Sequence, residues 1–544
     1  MIEFPNNMSQ KTRSAGVLDG SRLIMVSNRG PVEHSIDEAG QIRSKETGGG
    51  VAVALASVAR SCPVTWIAGA ASAGDRVVAR SSEGVSFAAN GKLRLVDLPE
   101  EVRVPFYESF CNPVLWFVQH SLNHLLEESR DAAAIEAAWL DGYRPANELF
   151  AEAVIDEIGP DEQSARVMLH DYHLYLAPRM IREARPGIAM QQFIHIPWPD
   201  PLAWLMIPHA LVNEICQGLL ANDSIQFQTE KDAALFMATC RAYLGENAEV
   251  CERRGEVEYL GRVTSVSVNP ISVDVAELEQ LSVSPEVRLA SAALAICCPG
   301  GTQLGGSPYA HSSKRTDNTG RMKTIVRVDR LDPSKNILRG FQAYERMLDQ
   351  SPALRGKVRF LAHLVPSRTG IAEYDGYASK VFSLIRQIND CYGTEDWQPI
   401  TVFYKQDRLS ALASLRAYDV LLVNSVADGM NLVSKEGPIL NTRDGVLVLS
   451  RTAGSYEELA ADAIGIEPLD IEETALALST ALKLPDEDRA RRAEGLRSAI
   501  EAHQLSDWLE VGLKDLQVSS IIHQVEAGLS EQPAPPRAVM SKAG

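Results

Sequence analysis

The chain has 544 residues, enough for two large domains or three ordinary ones, which excludes a short interaction module. Apolar residues make up 45% and charged residues 23%, placing it among folded globular chains. Lys plus Arg number 53 against 71 Asp plus Glu, a formal charge of −18, so non-specific attraction to nucleic acid or anionic lipid is not expected and an anionic ligand must be held by a local set of cations.

Residues 1–22 carry no continuous apolar stretch and no later run reaches the ~18 apolar residues of a membrane span, so a flexible N-terminal segment and a cytoplasmic protein are expected. Eight scattered cysteines without a CxxC pair read as packed thiols in a reducing compartment. From Leu23 onward, short β-branched runs alternate with longer helical patterns, as a parallel sheet covered by helices requires. Strands are predicted at Leu23–Ser27, Val64–Ala68, Val167–Leu169, Gln192–His195, Ser224–Gln228 and Thr264–Val268. A second series follows at Thr324–Val328, Val358–His363, Ile400–Tyr404, Asp419–Asn424, Val446–Ser450 and Ile464–Ile466.

The expectation is therefore two doubly wound α/β blocks of about six strands each, over 23–272 and 324–500, facing a central cleft. Between them Gly300–Lys323, rich in Gly, Ser and Thr, reads as a mobile insertion; helices follow over 501–529 and a Pro-rich tail over 530–544. Ligands of such sheets bind where strands deliver their carboxyl ends. Four clusters stand at such positions.

The first is Ser27-Asn28-Arg29-Gly30, followed by Thr47-Gly48-Gly49-Gly50, where a guanidinium and the amides of a Gly-rich helix start can hold an anion. The second is His170-Asp171-Tyr172-His173 with His195-Ile-Pro-Trp-Pro199; Asp and neutral His together supply acceptors and donors for sugar hydroxyls, and no third ligand has spacing for a metal site. The third is Arg330-Leu-Asp-Pro333-Ser334-Lys335, two cations flanking a turn that Pro333 stiffens, with Ser334 expected to cap a helix whose N-terminus completes a diphosphate receptor. The fourth is Asp428-Gly429-Met430-Asn431-Leu432-Val433-Ser-Lys-Glu436, in which Gly429 permits close backbone approach, amides enter a helix, and Asp428 and Glu436 can accept from sugar and ribose hydroxyls. A nicotinamide dehydrogenase would need GxGxxG after a strand, a spacing the Gly48–Gly50 triplet lacks.

Together these stretches resemble the trehalose-6-phosphate synthase family of retaining glycosyltransferases: SNR, GGxxAV, HDYHL, HIPxP, RLDxSK and DGMNLVxKE occur in family order between Leu23 and Leu516. The resemblance implies a GT-B fold, α/β with two Rossmann-like domains, and glucose transfer from a nucleotide diphosphate glucose to glucose 6-phosphate. It implies no metal, no other cofactor, and no nucleic-acid or membrane partner, with the choice between monomer and homo-oligomer open. It places Arg330 and Lys335 on the diphosphate, Asp428 and His195 on the donor glucose, Glu436 on the ribose, and Gly49, Gly50, Gly429 and the Met430, Asn431, Leu432 and Val433 amides around the donor. Arg29 and Arg368 would hold the acceptor phosphate as a buried guanidinium pair, with Tyr107, Trp116 and Asp171 lining the acceptor pocket.

One position departs from the family. Where the motif WFGWSG carries its second Trp, this chain reads Trp66-Ile-Ala-Gly69, a stretch similar to relatives that use other acceptors, such as glucosylglycerol-phosphate synthases or the pseudo-glycosyltransferases acting on an aminocyclitol phosphate.

Overall fold

The computed structural model describes residues 22–46, 63–80, 84–88, 90–127, 131–159, 165–297 and 321–530. The expected N-terminal segment, Gly49, Gly50, residues 300–320 and the tail past Ser530 lie outside these.

The first half holds β1 (Leu23–Ser27), β2 (Val32–Ile36), β3 (Ile42–Glu46), β4 (Val64–Gly69), β5 (Val85–Ala88), β6 (Gly91–Val96), β7 (Arg166–His170), β8 (Ala189–Phe193), β9 (Ser224–Phe227), β10 (Ala248–Cys251), β11 (Glu256–Tyr259) and β12 (Arg262–Val268). The second holds β13 (Lys323–Arg330), β14 (Val358–Val365), β15 (Ile400–Tyr404), β16 (Val420–Val423), β17 (Val446–Ser450) and β18 (Ile464–Ile466). All five residues of β1, LIMVS, are buried, the unbroken apolar run of a strand covered on both faces.

The first sheet has ten strands, ordered β10-β11-β12-β9-β8-β7-β1-β4-β6-β5. Strands β12 through β6 in that order are parallel, and antiparallel strands extend both edges. This corrects the expectation of about six strands. The additional ones are β5, β6, β10 and β11; the antiparallel pair at one edge is short and half polar (AEVC for β10, EVEY for β11) and carries no apolar run to announce it, and β2 and β3 form a separate two-stranded sheet. Strand β8 ends at Phe193, so His195 stands in the loop beyond it, not inside the predicted Gln192–His195 strand.

The second sheet is wholly parallel, ordered β15-β14-β13-β16-β17-β18. The chain winds outward from β13 through β14 to β15, then returns to the other side at β16. The first sheet winds the same way, from β1 through β4 to β6 and back at β7. The two reversals, β1/β7 and β13/β16, are the crevices where open α/β sheets bind ligands.

Two crossings join the halves. After β12 the chain passes to the helices Val275–Ser282 and Pro285–Cys297, which pack on helices of the second sheet. At the far end the helix Leu505–Ser530 returns to lie on β8, where the Trp508 carbonyl accepts from Asn269 Nδ2 at 3.0 Å and the Trp508 ring meets Phe193 edge-on at 5.2 Å. Among the described residues no helix is long and apolar enough to cross a membrane.

Candidate active site

A cavity of about 620 Å³ opens between the two reversals. Arg29, Tyr107, Trp116, Asp171, His195, Arg330, Lys335, Arg368, Asp428, Met430, Asn431, Leu432, Val433 and Glu436, spread over 400 positions of sequence, all line it. Gly429 does not. It is pressed against the facing loop so closely that an added Cβ would meet the His195 carbonyl oxygen at 1.8 Å, which is why only glycine serves there.

The β13/β16 wall is built on ion pairs. Arg327, fully buried, donates to Asp329 Oδ2 at 2.8 and 3.0 Å and to the Lys335 carbonyl at 2.9 Å, so the turn that carries Lys335 is held from beneath. Lys335 Nζ pairs with Asp428 Oδ2, which also accepts from Ser425 Oγ and Asn431 Nδ2, each at 3.0 Å. Burial alone would raise the Asp428 carboxyl; the Lys335 charge and these donors leave it below the usual carboxylate range.

Two expectations about this turn are corrected. Ser334 does not cap the next helix: Asp332 accepts from the Ser334 amide at 2.9 Å, and Asn336, left-handed at φ 55°, starts the helix Ile337–Gln350 without a side-chain cap. Nor is that helix N-terminus open to a diphosphate, because the Ile337 and Leu338 amides donate to Tyr377 Oη at 2.7 and 3.3 Å. The helix start that faces the cavity is Val433–Leu440, entered through Asn431 at φ 70°, whose Oδ1 accepts from the Ser434 amide at 3.1 Å. Glu436 lies in its first turn, its carboxyl pushed up by burial with Arg408 opposing. Lys435 turns away, donating to Glu458 at 2.8 and 2.9 Å and to the Ile271 carbonyl at 3.0 Å, and so ties the first crossing to the second sheet.

The β1/β7 wall differs in character. Asp171, directly after β7, sits at φ 71°, ψ 178°, a region that side chains other than glycine's avoid. Burial pushes its carboxyl up to about 7, against the pull of the Tyr172 and His195 amides and the Arg330 and Arg368 charges. His170 and His195 share one contact, Nδ1 to Nε2, at 3.2 Å. Both are buried, which drives His170 down to about 3 and His195 well below its ordinary value. His170 Nε2, Asp171 Oδ1, His173 Nε2 and His195 Nδ1 are buried without a partner among the described residues. A buried polar atom without a partner is costly, and these four are gathered in one wall of the cavity.

Trp116 joins the walls. Its Nε1 donates to Asp332 Oδ1 at 3.2 Å, His120 stacks on it at 3.8 Å, and Arg368 and Arg330 lie over it at 3.9 and 5.0 Å. Arg368, with 4% of its side chain exposed, pairs with Asp332 and donates to Tyr374 Oη at 2.9 Å and Tyr172 Oη at 3.3 Å. Arg29 by contrast is exposed at the cavity rim. The expected buried guanidinium pair is thus one buried arginine with its own carboxylate and one exposed arginine. Burial works to raise the Tyr107 phenol, but Arg29, Arg368 and Arg330 bring it below its ordinary value.

Asp332, His120, Tyr172 and Tyr374 are not among the residues expected from sequence, and only Asp332 and Tyr172 fall inside recognisable motifs. Gly69, at the end of β4, does not line the cavity; an added Cβ would meet the Asn28 carbonyl oxygen at 3.1 Å and Phe150 Cζ at 3.4 Å. Trp66 lines the cavity, its Nε1 donating to Ser27 Oγ at 2.8 Å. Among the described residues no group of three or more His, Cys, Asp and Glu is arranged to hold a metal ion.

Two sheets with this winding, set with their reversals across one cleft, define the GT-B class of glycosyltransferase. The model of glycosyltransferase family 20 matches residues 21–296 and 311–518, and the chain belongs to that family. It is 32% identical over 502 residues to the bifunctional trehalose-6-phosphate synthase/phosphatase of Thermoproteus tenax, spanning 90% of this chain but 62% of that protein. It is 29% identical to the UDP-forming alpha,alpha-trehalose-phosphate synthase of Schizosaccharomyces pombe, over 93% of this chain and 92% of the relative. Several other relatives are longer still, the chain spanning 46% to 51% of three Arabidopsis thaliana proteins. Among solved structures, the UDP-forming synthase of Burkholderia xenovorans in complex with glucose-6-phosphate superposes with a TM-score of 0.75 at 27% identity, over 91% of this chain and 100% of that one. An E. coli trehalose-6-phosphate structure bound with UDP-2-fluoro glucose gives 0.75 at 26% identity, over 91% and 99%.

Proposed function

We propose that this chain transfers glucose from UDP-glucose to glucose 6-phosphate with retention of the α configuration, forming α,α-trehalose 6-phosphate and UDP. The observation that carries the reading is the single cavity in which a cationic wall, Arg330 and Lys335 beside the helix start at Val433, faces a wall of unpartnered sugar-type donors and acceptors. The UDP-forming relatives support uridine as the base.

In this reading Arg330 and Lys335 hold the diphosphate, the 431–433 amides complete its cradle, and Glu436 accepts from the ribose hydroxyls. Asp428, kept ionised by Lys335, and His195 orient the donor glucose. The bond from the anomeric carbon to the diphosphate oxygen breaks with its electron pair leaving on UDP, and the acceptor hydroxyl oxygen bonds to the same face. Its proton passes to the departing phosphate oxygen. Charge grows on the diphosphate in that transition state, where cations already fixed in place accelerate most. Arg368 and Arg29 hold the acceptor phosphate from the buried and the exposed side, with Tyr107 between them and Asp171 on the acceptor ring.

Product mass from UDP-, ADP- and GDP-glucose, each with glucose 6-phosphate, glycerol 3-phosphate and an aminocyclitol phosphate, tests this directly. A disaccharide phosphate from the UDP-glucose and glucose 6-phosphate pair supports it, and hydrolysis alone would overturn it. A second reading, a different phosphorylated acceptor on the same donor machinery, is favoured by one feature of the sequence: the stretch Trp66-Ile-Ala-Gly69 lacks the second Trp of the family motif, although Gly69 itself stands off the cavity.

A further inference from the structure

His170 ends β7 and His195 follows β8, the neighbouring strand in register, so the sheet itself sets their rings side by side. The His195 ring packs beside Phe193, 4.5 Å between centroids, and near Trp508 of the returning helix, 6.4 Å away. The contact between the two histidines runs from His170 Nδ1 to His195 Nε2 at 3.2 Å, leaving His195 Nδ1 and His170 Nε2 buried and unpartnered.

A neutral imidazole has one N–H and one lone pair. The shared contact needs one of each, so only two joint arrangements exist. In one, His170 Nδ1–H donates to His195 Nε2, and both rings carry their proton on Nδ1. In the other, His195 Nε2–H donates to His170 Nδ1, and both carry it on Nε2, the nitrogen a free histidine side chain prefers. The second arrangement therefore satisfies both rings at once. It leaves the other nitrogen of His195, Nδ1, as a bare acceptor on a residue that lines the cavity.

We propose that His170 is a positioning residue that holds the proton of His195 on Nε2, so that His195 Nδ1 accepts a hydrogen bond from a ligand hydroxyl. His170 does this by offering its Nδ1 lone pair to the one nitrogen of His195 that no ligand reaches. Replacing His170 by phenylalanine keeps the ring volume but removes that lone pair. A proton on His195 Nε2 would then face an apolar ring, and the imidazole would shift its proton towards Nδ1, becoming a donor where the site needs an acceptor.

The first arm of the test needs no substrate. In ¹⁵N-histidine-labelled full-length protein, NMR should find His195 protonated on Nε2, with a ¹⁵N–¹⁵N coupling across the contact to His170 Nδ1. In His170→Phe the His195 proton should move to Nδ1 or exchange between both nitrogens. In His170→Asn, whose amide can still accept from Nε2–H, it should stay. Protonation of His195 on Nδ1 in the wild-type protein, or no coupling to His170, overturns the proposal, and this measurement stands even if the phenylalanine variant does not fold.

The second arm rests on the glucosyl-transfer reading. Across monodeoxy and deoxyfluoro donor sugars, the position read by His195 is the one whose deoxy penalty disappears in His195→Ala. There fluorine, which cannot donate, should be as poor as hydrogen in the wild-type enzyme, each lowering kcat/KM by roughly 10-fold or more. In His170→Phe the fluoro donor should recover relative to the deoxy donor, while KM for the acceptor stays put. A fluoro donor that outperforms the deoxy donor in the wild-type enzyme overturns the proposal. A protein with no transferase activity would remove the glucosyl-transfer reading but leave the tautomer result intact.

Discussion

The two walls of the cleft are unlike in how they treat polarity. On the β13/β16 side the charges are answered inside the chain: Arg327 by Asp329, Lys335 by Asp428, Arg368 by Asp332, Lys435 by Glu458. Unpartnered buried atoms occur on both sides among the described residues, Arg327 Nη1 and Arg368 Nε included, but on the β1/β7 side they belong to three imidazoles and to Asp171, which sits in a strained conformation. Lys335, which in the proposed reading meets the diphosphate, is kept in place by a counter-ion, and exposed Arg330 is held over the Trp116 ring. Neutral imidazoles and a carboxyl that burial raises to about 7 can stay unpaired at a cost per atom that the fold can bear.

The sharpest way to break this contrast is to remove the cations. Arg330→Ala and Lys335→Ala should each lower kcat/KM with UDP-glucose by ~10²–10³-fold, the range for losing one preorganised charge-stabilising group. Their stability effects should part company. Arg330 is exposed and lies over Trp116, so its loss leaves Tm almost unmoved. Loss of Lys335 strips a buried carboxylate of its partner, at a cost on the order of 3 kcal/mol. The double variant Lys335→Ala/Asp428→Ala should regain Tm without regaining activity. Wild-type turnover in both single variants would show that the diphosphate lies elsewhere.

The arginines at the acceptor end sharpen the comparison. Arg368 is buried against Trp116, whereas Arg29 is exposed and screened by water, so removing Arg368 should lower kcat/KM for glucose 6-phosphate by ~10²-fold and removing Arg29 by only ~10-fold. The readout is the ratio of kcat/KM for glucose 6-phosphate to that for glucose. In the wild-type enzyme it should correspond to about 2–5 kcal/mol, and it should collapse in Arg368→Ala more than in Arg29→Ala. Equal ratios in wild type and both variants would mean that neither arginine reads the phosphate.

How far the sequence could be read follows the same division. Every parallel strand of the second sheet was legible, because strands covered on both faces, such as VLVLS of β17, are unbroken apolar runs. The antiparallel edge beyond β12 was not, since AEVC and EVEY are half polar and gain their order only by pairing. Cations flanking a proline turn at a strand end stand out in an acidic chain, which is why Arg330 and Lys335 were visible. Asp332 was hidden for the opposite reason: its partners Trp116 and Arg368 lie 216 and 36 positions away, and a lone aspartate before proline reads as an ordinary turn. The burial expected of Arg29 failed because position after a strand says nothing of which side of the rim a side chain takes.

Titration offers a subtler test. Asp171 has its pKa raised to about 7, so the folded chain holds that proton more tightly than the unfolded chain, and this contribution to stability is lost as pH rises from the ordinary carboxylate range through 7. His120 and His170, driven by burial down to about 4 and about 3, act in the other sense: their contribution is present above 6.5 and lost as pH falls. Between pH 4 and 6.5 the two effects oppose. Asp171→Asn removes the falling part, so Tm of the variant should climb more steeply with pH over that interval than Tm of the wild-type protein. Parallel Tm profiles would show that Asp171 is ionised in the folded chain throughout.

The smallest effect expected is none at all. Dialysis against EDTA should leave kcat/KM within about twofold, and added Mg²⁺ or Mn²⁺ should not raise it. The argument rests on how the carboxylates near the cationic wall are engaged. Asp428 Oδ2 is taken by Lys335, Ser425 and Asn431, Asp329 Oδ2 by Arg327, and both oxygens of Asp332 by Trp116, the Ser334 amide and Arg368. A divalent ion bridging a diphosphate needs carboxylate or water oxygens free to turn towards it, and recruiting any of these would break an ion pair that holds Lys335, its turn, or Arg368 in place. Arg330 and Lys335 already supply the positive charge that such an ion would bring. Activity lost in EDTA and restored by a divalent ion would mean that at least one of these pairs opens when the donor binds, and Asp428→Asn would then abolish the metal response.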